Sequence, residues 1–254
     1  MRIVVAGASG FLGHHLTAHL EDAGHEVVRL VRRAPRGPHE SGWNPYAGTM
    51  DTRVVRSADV MVNLAGSPTA GNPHSHAWAS ELRTSRVTTT RVLAEAVAAA
   101  PNPPAYLAGN GISYYGDHGS EVVTEDSDSR GDALLTSVTR EWQAAADPAV
   151  EAGARVCILR TAPVLDHRSA PLKQMLLPFR LGLGARLGNG RQYFPVISLR
   201  DWVAAVTFLA ETPTVAGPVN LCCPHTPTNG EFTDALAGAV GRRARLAAPA
   251  AVLR

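Results

Sequence analysis

At 254 residues and 26.8 kDa the chain has the size of one large domain, or of one domain with a small appendage. Twenty-four basic residues against 22 acidic ones leave a net charge of +2, too even for a nucleic-acid binder or a membrane-surface protein. Lys173 is the sole lysine and the other 23 basic residues are arginine, so any mechanism that needs a titrating lysine must use Lys173. No apolar run approaches the roughly 18 residues of a membrane span. The chain enters Ile3-Val4-Val5 at once, so no signal peptide is expected. Of the three cysteines, Cys222 and Cys223 are adjacent and Cys157 sits in an apolar run. That spacing points to neither a disulfide framework nor a zinc site, and the expected compartment is a reducing cytoplasm.

Taken in chain order, apolar runs alternate with helical spacing. Arg2 to Val5 reads as a buried strand, Phe11 to Ala23 as a helix and Glu26 to Val31 as a second strand. Arg33 to Thr52, rich in Gly, Pro, His and Asn, reads as a long loop or a small hairpin. Val60 to Leu64 is a third strand and Arg83 to Ala100 an alanine-rich helix. Ala105 to Ala108, a helix over Asp132 to Ala152, and Arg155 to Leu159 continue the rhythm. Leu165 to Pro195 reads as an inserted segment on the substrate side. It is followed by a helix over Asp201 to Ala210 capped by Asp201, a strand over Val219 to Cys222, and a helix over Glu231 to Val240 capped near Thr228-Asn229. No final element is expected over Ala250 to Arg254. Alternating strands and helices mean βαβ units, hence an α/β fold with a doubly wound parallel sheet of Rossmann type. The expected division is a nucleotide-binding core over 1–164 and a small substrate-side region over 165–254, interleaved with the core.

The sharpest local signal is Gly7-Ala8-Ser9-Gly10-Phe11-Leu12-Gly13, between the first strand and the first helix. Gly7 permits a tight turn, Gly10 lets the backbone approach a diphosphate, and Gly13 allows close packing. The helix N-terminus adds N–H donors and a positive dipole end. The second strand ends in Val31-Arg32-Arg33, with no acid for a ribose hydroxyl. Two guanidinium groups suit a 2′-phosphate, so the expected cofactor is NADP, with Arg32 first and Arg33 next. At the strand end Leu64-Ala65-Gly66, the small Ala65 and Gly66 let adenosine lie close to the backbone.

These residues resemble the short-chain dehydrogenase/reductase superfamily, in its atypical or extended branch. The resemblance also rests on Trp43-Asn44-Pro45, Gly48-Thr49-Met50-Asp51, Ser85-Arg86-Val87, Tyr114-Tyr115-Gly116-Asp117, Thr124-Glu125-Asp126, Glu141-Trp142, Arg160-Thr161 and Gly188-Asn189-Gly190-Arg191-Gln192. It covers nearly the whole chain and points to the epimerase-like subgroup, whose members run on for a further C-terminal segment. The resemblance implies cofactor contacts from Gly109, Asn110, Gly111, Thr161, Ala162 and Val164. It implies substrate contacts from Ser113, Tyr114, Tyr115, Gln192 and Tyr193.

The superfamily's chemistry uses a serine and a tyrosine and lysine four residues apart on one helix face. Four residues after Tyr46, Tyr106, Tyr114, Tyr115 and Tyr193 stand Met50, Asn110, His118, Gly119 and Ile197, and four before Lys173 stands Ser169. The pair is absent everywhere. Leu135 and Thr139 are expected at its two positions, and Gly109-Asn110-Gly111 where serines are common. Tyr114-x-x-x-His118 lies in a Gly-Asp turn, and His74 and His76 lie in a polar loop without nearby acids, so neither is expected to be a site. A reductase of this kind must stabilise its alkoxide by other means, such as a hydroxyl beside the ketone of a flat polyphenolic substrate. The chain resembles atypical ketoreductases of angucyclinone-type aromatic polyketide pathways, which implies NADPH-dependent reduction of a polycyclic ketone in antibiotic biosynthesis. A non-catalytic NADP-binding sensor and a sugar-nucleotide epimerase are the alternatives. The expected partner is a small molecule, with no nucleic acid or membrane, and the oligomeric state is open.

Overall fold

A computed structural model of the protein describes residues 1–69, 71–72 and 74–248. The elements in order are β1 (Arg2–Ala6), α1 (Phe11–Asp22), β2 (Glu26–Val31), β3 (Glu40–Asn44), β4 (Thr49–Met50), α2 (Thr52–Arg56), β5 (Val60–Asn63), α3 (His76–Ala98) and β6 (Ala105–Gly111). They continue with α4 (Leu134–Ala144), α5 (Asp147–Glu151), β7 (Val156–Thr161), β8 (Val164–Leu165), α6 (Ala170–Arg180), β9 (Ala185–Leu187) and β10 (Ile197–Ser198). The last are α7 (Leu199–Glu211), β11 (Gly217–Leu221), α8 (Asn229–Ala239) and β12 (Leu246–Ala248). The chain forms two compact units, Met1–Thr161 with Val203–Leu221, and Ala162–Trp202 with Cys222–Arg254.

The first unit is built on one sheet in the order β11-β7-β6-β5-β1-β2-β3-β4, parallel except for the β3–β4 hairpin. The register sets Val4 beside both Val28 and Met61. From β1 the chain moves outward through β2 and β3, then returns to build β5, β6 and β7 on the other side. With right-handed crossovers this reversal puts successive helices on opposite faces and opens a crevice at the carboxyl ends of β1 and β5. The core is aliphatic: Ile3, Val4, Leu16, Leu93, Val97, Leu107 and Leu159 are all fully buried.

Several boundaries differ from the sequence expectation. The segment 33–52 holds a hairpin whose first strand extends the sheet beside β2. α3 begins at His76, seven residues before the expected start, because the Ser75 side chain accepts the Trp78 N–H and caps it there. The expected helix over 132–152 breaks into α4 and α5, the second starting with Pro148 in its first turn. β6 runs on through Gly109, Asn110 and Gly111, since β7 supplies a partner at each step.

The second unit pairs β8 with β10 and β9 with β12. Asp201 is not the cap of α7: the Ser198 hydroxyl accepts the Asp201 N–H at 3.0 Å and donates to its carboxylate at 2.8 Å. Thr228 caps α8 with a reciprocal Glu231. Residues 249–254 lie outside the described residues. No helix among the described residues is long and apolar enough to cross a membrane.

Candidate functional site

The turn after β1 is shaped by two glycines that no other residue can replace. Gly7 has φ +80°, and a Cβ placed on it would stand 2.5 Å from the Leu64 carbonyl carbon. A Cβ on Gly13 would stand 2.2 Å from the Gly7 oxygen, so this glycine packs α1 onto the turn itself rather than onto the strand. Gly10 donates to the Gly7 carbonyl at 3.0 Å and sits at the N-cap of α1 with no side chain to cap it. The N–H groups of the first turn, at Phe11, Leu12 and Gly13, therefore lack a side-chain acceptor beside exposed Ser9 and Gly10. A cradle that a Cβ would fill, with unspent donors at a helix start, fits the diphosphate of a dinucleotide.

The two arginines after β2 have different fates. Arg33 grips Glu40 through both terminal nitrogens, one at 2.7 Å, and Arg36 N–H donates to the same carboxylate at 2.7 Å. Those bonds hold Glu40 at a pKa of about 2. Arg33, expected to bind the 2′-phosphate, is thus already engaged. Arg32 is exposed and makes no hydrogen bond or ion pair with any described residue, which leaves its guanidinium available.

Across the crevice the loop Leu64–Ser67 is stitched to α3. Asn63, fully buried, accepts the Ala65 N–H at 3.0 Å and donates to Thr90 at 2.9 Å. The Ser85 hydroxyl accepts Ser67 N–H at 3.0 Å, and Thr89 Oγ1 lies 3.2 Å from the Ala65 carbonyl. Arg86 donates to the Ser67 carbonyl at 3.0 Å and to the Leu82 carbonyl at 3.1 Å. Its guanidinium lies 5.2 Å from the Trp142 ring centroid, and Trp142 Nε1–H donates to Thr90 at 2.8 Å.

Toward β6 and β7 the polar groups are consumed internally. A Cβ on Gly109 would stand 2.7 Å from Asn63 O and 3.2 Å from Trp142, so close packing requires glycine there. Asn110, also buried, donates to the Thr139 carbonyl at 3.1 Å and accepts Gly111 N–H at 2.7 Å. Thr139 Cγ2 lies 3.6 Å from a Cβ placed on Gly111, so it reaches the carboxyl end of β6. Leu135, one turn earlier on α4, is 42 % exposed, and its carbonyl accepts the Thr139 hydroxyl. No titrating group occupies either position.

Arg160, 2 % exposed, lies at the centre of this end. It donates to Tyr115 Oη at 2.7 Å, to the Glu125 carbonyl at 3.0 Å and to Gln143 Oε1 at 3.0 Å. Tyr115 Oη in turn donates to Asn220 Oδ1 at 2.6 Å. Burial pushes the Tyr115 phenol up, with Arg160 opposing that shift. Tyr115 was expected to face substrate, and the structure instead spends it as a buried strut. Tyr114 stacks under Arg160 at 3.7 Å to the ring centroid and stays half-buried with Ser113. His118 is buried against the Asp128 carbonyl, away from any helix face shared with Tyr114.

In the second unit Ala162 is buried and offers backbone only, while Val164 belongs to β8. Thr161, the last residue of β7, donates to the Leu159 carbonyl. The Gln192 amide is tied to the Leu187 carbonyl, and Tyr193 is 52 % exposed beside Thr228. No group of three His, Cys, Asp or Glu among the described residues is placed to hold a metal ion. Cys157 is a core residue whose thiol faces the Val215 carbonyl. The sequence reading gives no role to Arg86, nor to Asn220 and Gln143 of the Arg160 network. The signal for Arg86 was its place on the buried helical face with Leu82, Leu93 and Val97.

The fold and this turn define a dinucleotide-binding α/β protein. The model of the NAD dependent epimerase/dehydratase family matches residues 3–222, and the chain belongs to that family. It is 42 % identical to the epimerase family protein Mb2239 of Mycobacterium bovis, over 99 % of this chain and 83 % of the relative. The crystal structure of human epimerase family protein SDR39U1 with NADPH superposes with a TM-score of 0.86 at 35 % identity, covering 100 % of this chain and 84 % of that one. A nucleoside-diphosphate sugar epimerase from Corynebacterium glutamicum gives a TM-score of 0.78 at 32 % identity, covering 100 % of this chain and 54 % of that one.

Proposed function

We propose that this chain binds NADP(H) and reduces a ketone on a flat, hydroxylated polycyclic substrate, of the kind found among aromatic polyketides. The observation that carries this reading is the contrast between an intact diphosphate cradle and a catalytic helix stripped of its acid. NADPH, when bound, supplies the hydride. The α1 N-terminus and the Gly7–Gly13 turn hold the diphosphate, Arg32 pairs with the 2′-phosphate, and Leu64–Gly66 lies along the adenosine. The human relative crystallised with NADPH supports the same cofactor here.

Leu135 and Thr139 bring no proton to the reacting carbonyl. A hydroxyl beside the ketone of the substrate then hydrogen-bonds the growing alkoxide and gives it a proton, which water replaces, and the protein's task is orientation. Ser113 and Tyr114, on the 3-10 turn after β6, offer a hydroxyl and a ring to that substrate. Epimerisation at a sugar hydroxyl needs a proton removed and returned, for which Leu135 and Thr139 are unsuited.

The test follows NADPH absorbance with matched polycyclic ketones that carry or lack the adjacent hydroxyl. Reduction of the hydroxylated member alone is the expected result. Equal reduction of both refutes substrate assistance. Tight NADPH binding with no oxidation by any ketone refutes the reductase and favours a binding protein without turnover.

A further inference from the structure

Arg86 is 8 % exposed, and no carboxylate lies within 4 Å of it among the described residues. Among the described residues its charge is met by two carbonyl oxygens and the face of Trp142. Burial lowers its pKa to about 10, which still leaves it protonated at neutral pH. A buried cation without an anion is costly, and strongly desolvated ionisable groups cluster at functional sites. Its position indicates which anion. A Cβ placed on Gly66 would stand 3.3 Å from Arg86 Cγ and 3.5 Å from Nη1. The same loop, at Leu64 and Ala65, closes on Gly7 of the diphosphate turn. Gly66 therefore keeps the guanidinium close behind the crevice wall that faces α1. Two of its five N–H donors are assigned to backbone carbonyls.

We propose that Arg86 is the buried counter-charge of the cofactor's diphosphate, a second cation distinct in role from Arg32. This rests on dinucleotide binding and not on ketone reduction, so its test reads affinity alone. In a low-dielectric wall the charge acts on the diphosphate without direct contact and with little screening by salt.

Isothermal titration of ADP-ribose, adenosine 2′-monophosphate and NADPH separates the two cations. Arg86→Met should weaken ADP-ribose and NADPH by about tenfold or more and leave adenosine 2′-monophosphate within about twofold. Arg86→Lys should recover most of that loss. Arg32→Ala should show the reverse pattern, weakening adenosine 2′-monophosphate and NADPH while sparing ADP-ribose. Arg86→Gln, which keeps a donor for the Ser67 carbonyl and removes the charge, serves if the methionine variant fails to fold, and should match it. Wild-type affinity for ADP-ribose in the methionine or glutamine variant overturns the proposal. So does an equal loss of ADP-ribose and adenosine 2′-monophosphate, because that marks Arg86 as a shaper of the loop. Failure of wild-type protein to bind NADPH at all would instead refute the cofactor reading beneath it.

Discussion

The two halves of the sheet's carboxyl end use their polar groups in opposite ways. On the β1 and β5 side, α1 starts without a side-chain cap, and among the described residues Arg32 has no partner and Arg86 no acid to balance its charge. On the β6 and β7 side, Arg160 joins Tyr115 to Gln143 and Tyr115 joins Asn220, while Asn110 is tied to the Thr139 carbonyl and the Gly111 N–H. Buried polar groups need partners, so a half that leaves donors unspent is prepared for a ligand, and a half that spends them is built for rigidity. On that second side the half-buried Ser113 and Tyr114 of the turn after β6 stand outside this network of spent groups, apart from the Tyr114 ring against Arg160.

Substitutions on each side test that division, the largest effect coming from the glycine turn. Gly13→Ala forces a methyl group onto the Gly7 carbonyl and should cost about 3 kcal/mol, seen as a loss of roughly a hundredfold in NADPH affinity by fluorescence titration. Wild-type affinity in that variant would mean that the turn is not the cradle. Tyr115→Phe leaves Arg160 and Asn220 short of a partner and should lower stability by about 1–2 kcal/mol in urea unfolding, with NADPH affinity unchanged. The contrast between the halves fails if this variant keeps its stability but loses the cofactor. The smallest effect is at Glu40→Gln. Glu40 has its carboxyl depressed from 4.5 to about 2 by Arg33, so its contribution is present above about pH 4.5 and is lost as pH falls through about 2. The stability gap between wild type and this exposed-pair variant should therefore be small at neutral pH and vanish near pH 2. A gap that persists there contradicts the Arg33–Glu40 assignment.

Much of the framework was legible in the residues. Strand–turn–helix at Gly7–Gly13 and the alternation of apolar runs depend on local spacing, which survives without neighbours. Element ends were less legible. The expected strand ends at Ala108, before Gly109-Asn110-Gly111, because glycine is a poor strand former, yet β7 supplies ladder partners and the strand continues. The start of α3 depends on one serine hydroxyl meeting one N–H, which the polar loop around it concealed.

The sequence by itself determined two things: a glycine-cut turn with the spacing for a diphosphate, and the impossibility of a Tyr-x-x-x-Lys pair at any position. Both are properties of residue type and separation along the chain. Tertiary structure decided which polar side chains remain available. Arg33 is taken by Glu40 seven residues on, Tyr115 by an asparagine 105 residues away, and Arg86 is buried with no acid beside it among the described residues. Whether a donor is spent depends on what folding brings within 3 Å of it, and separation along the chain carries no record of that distance.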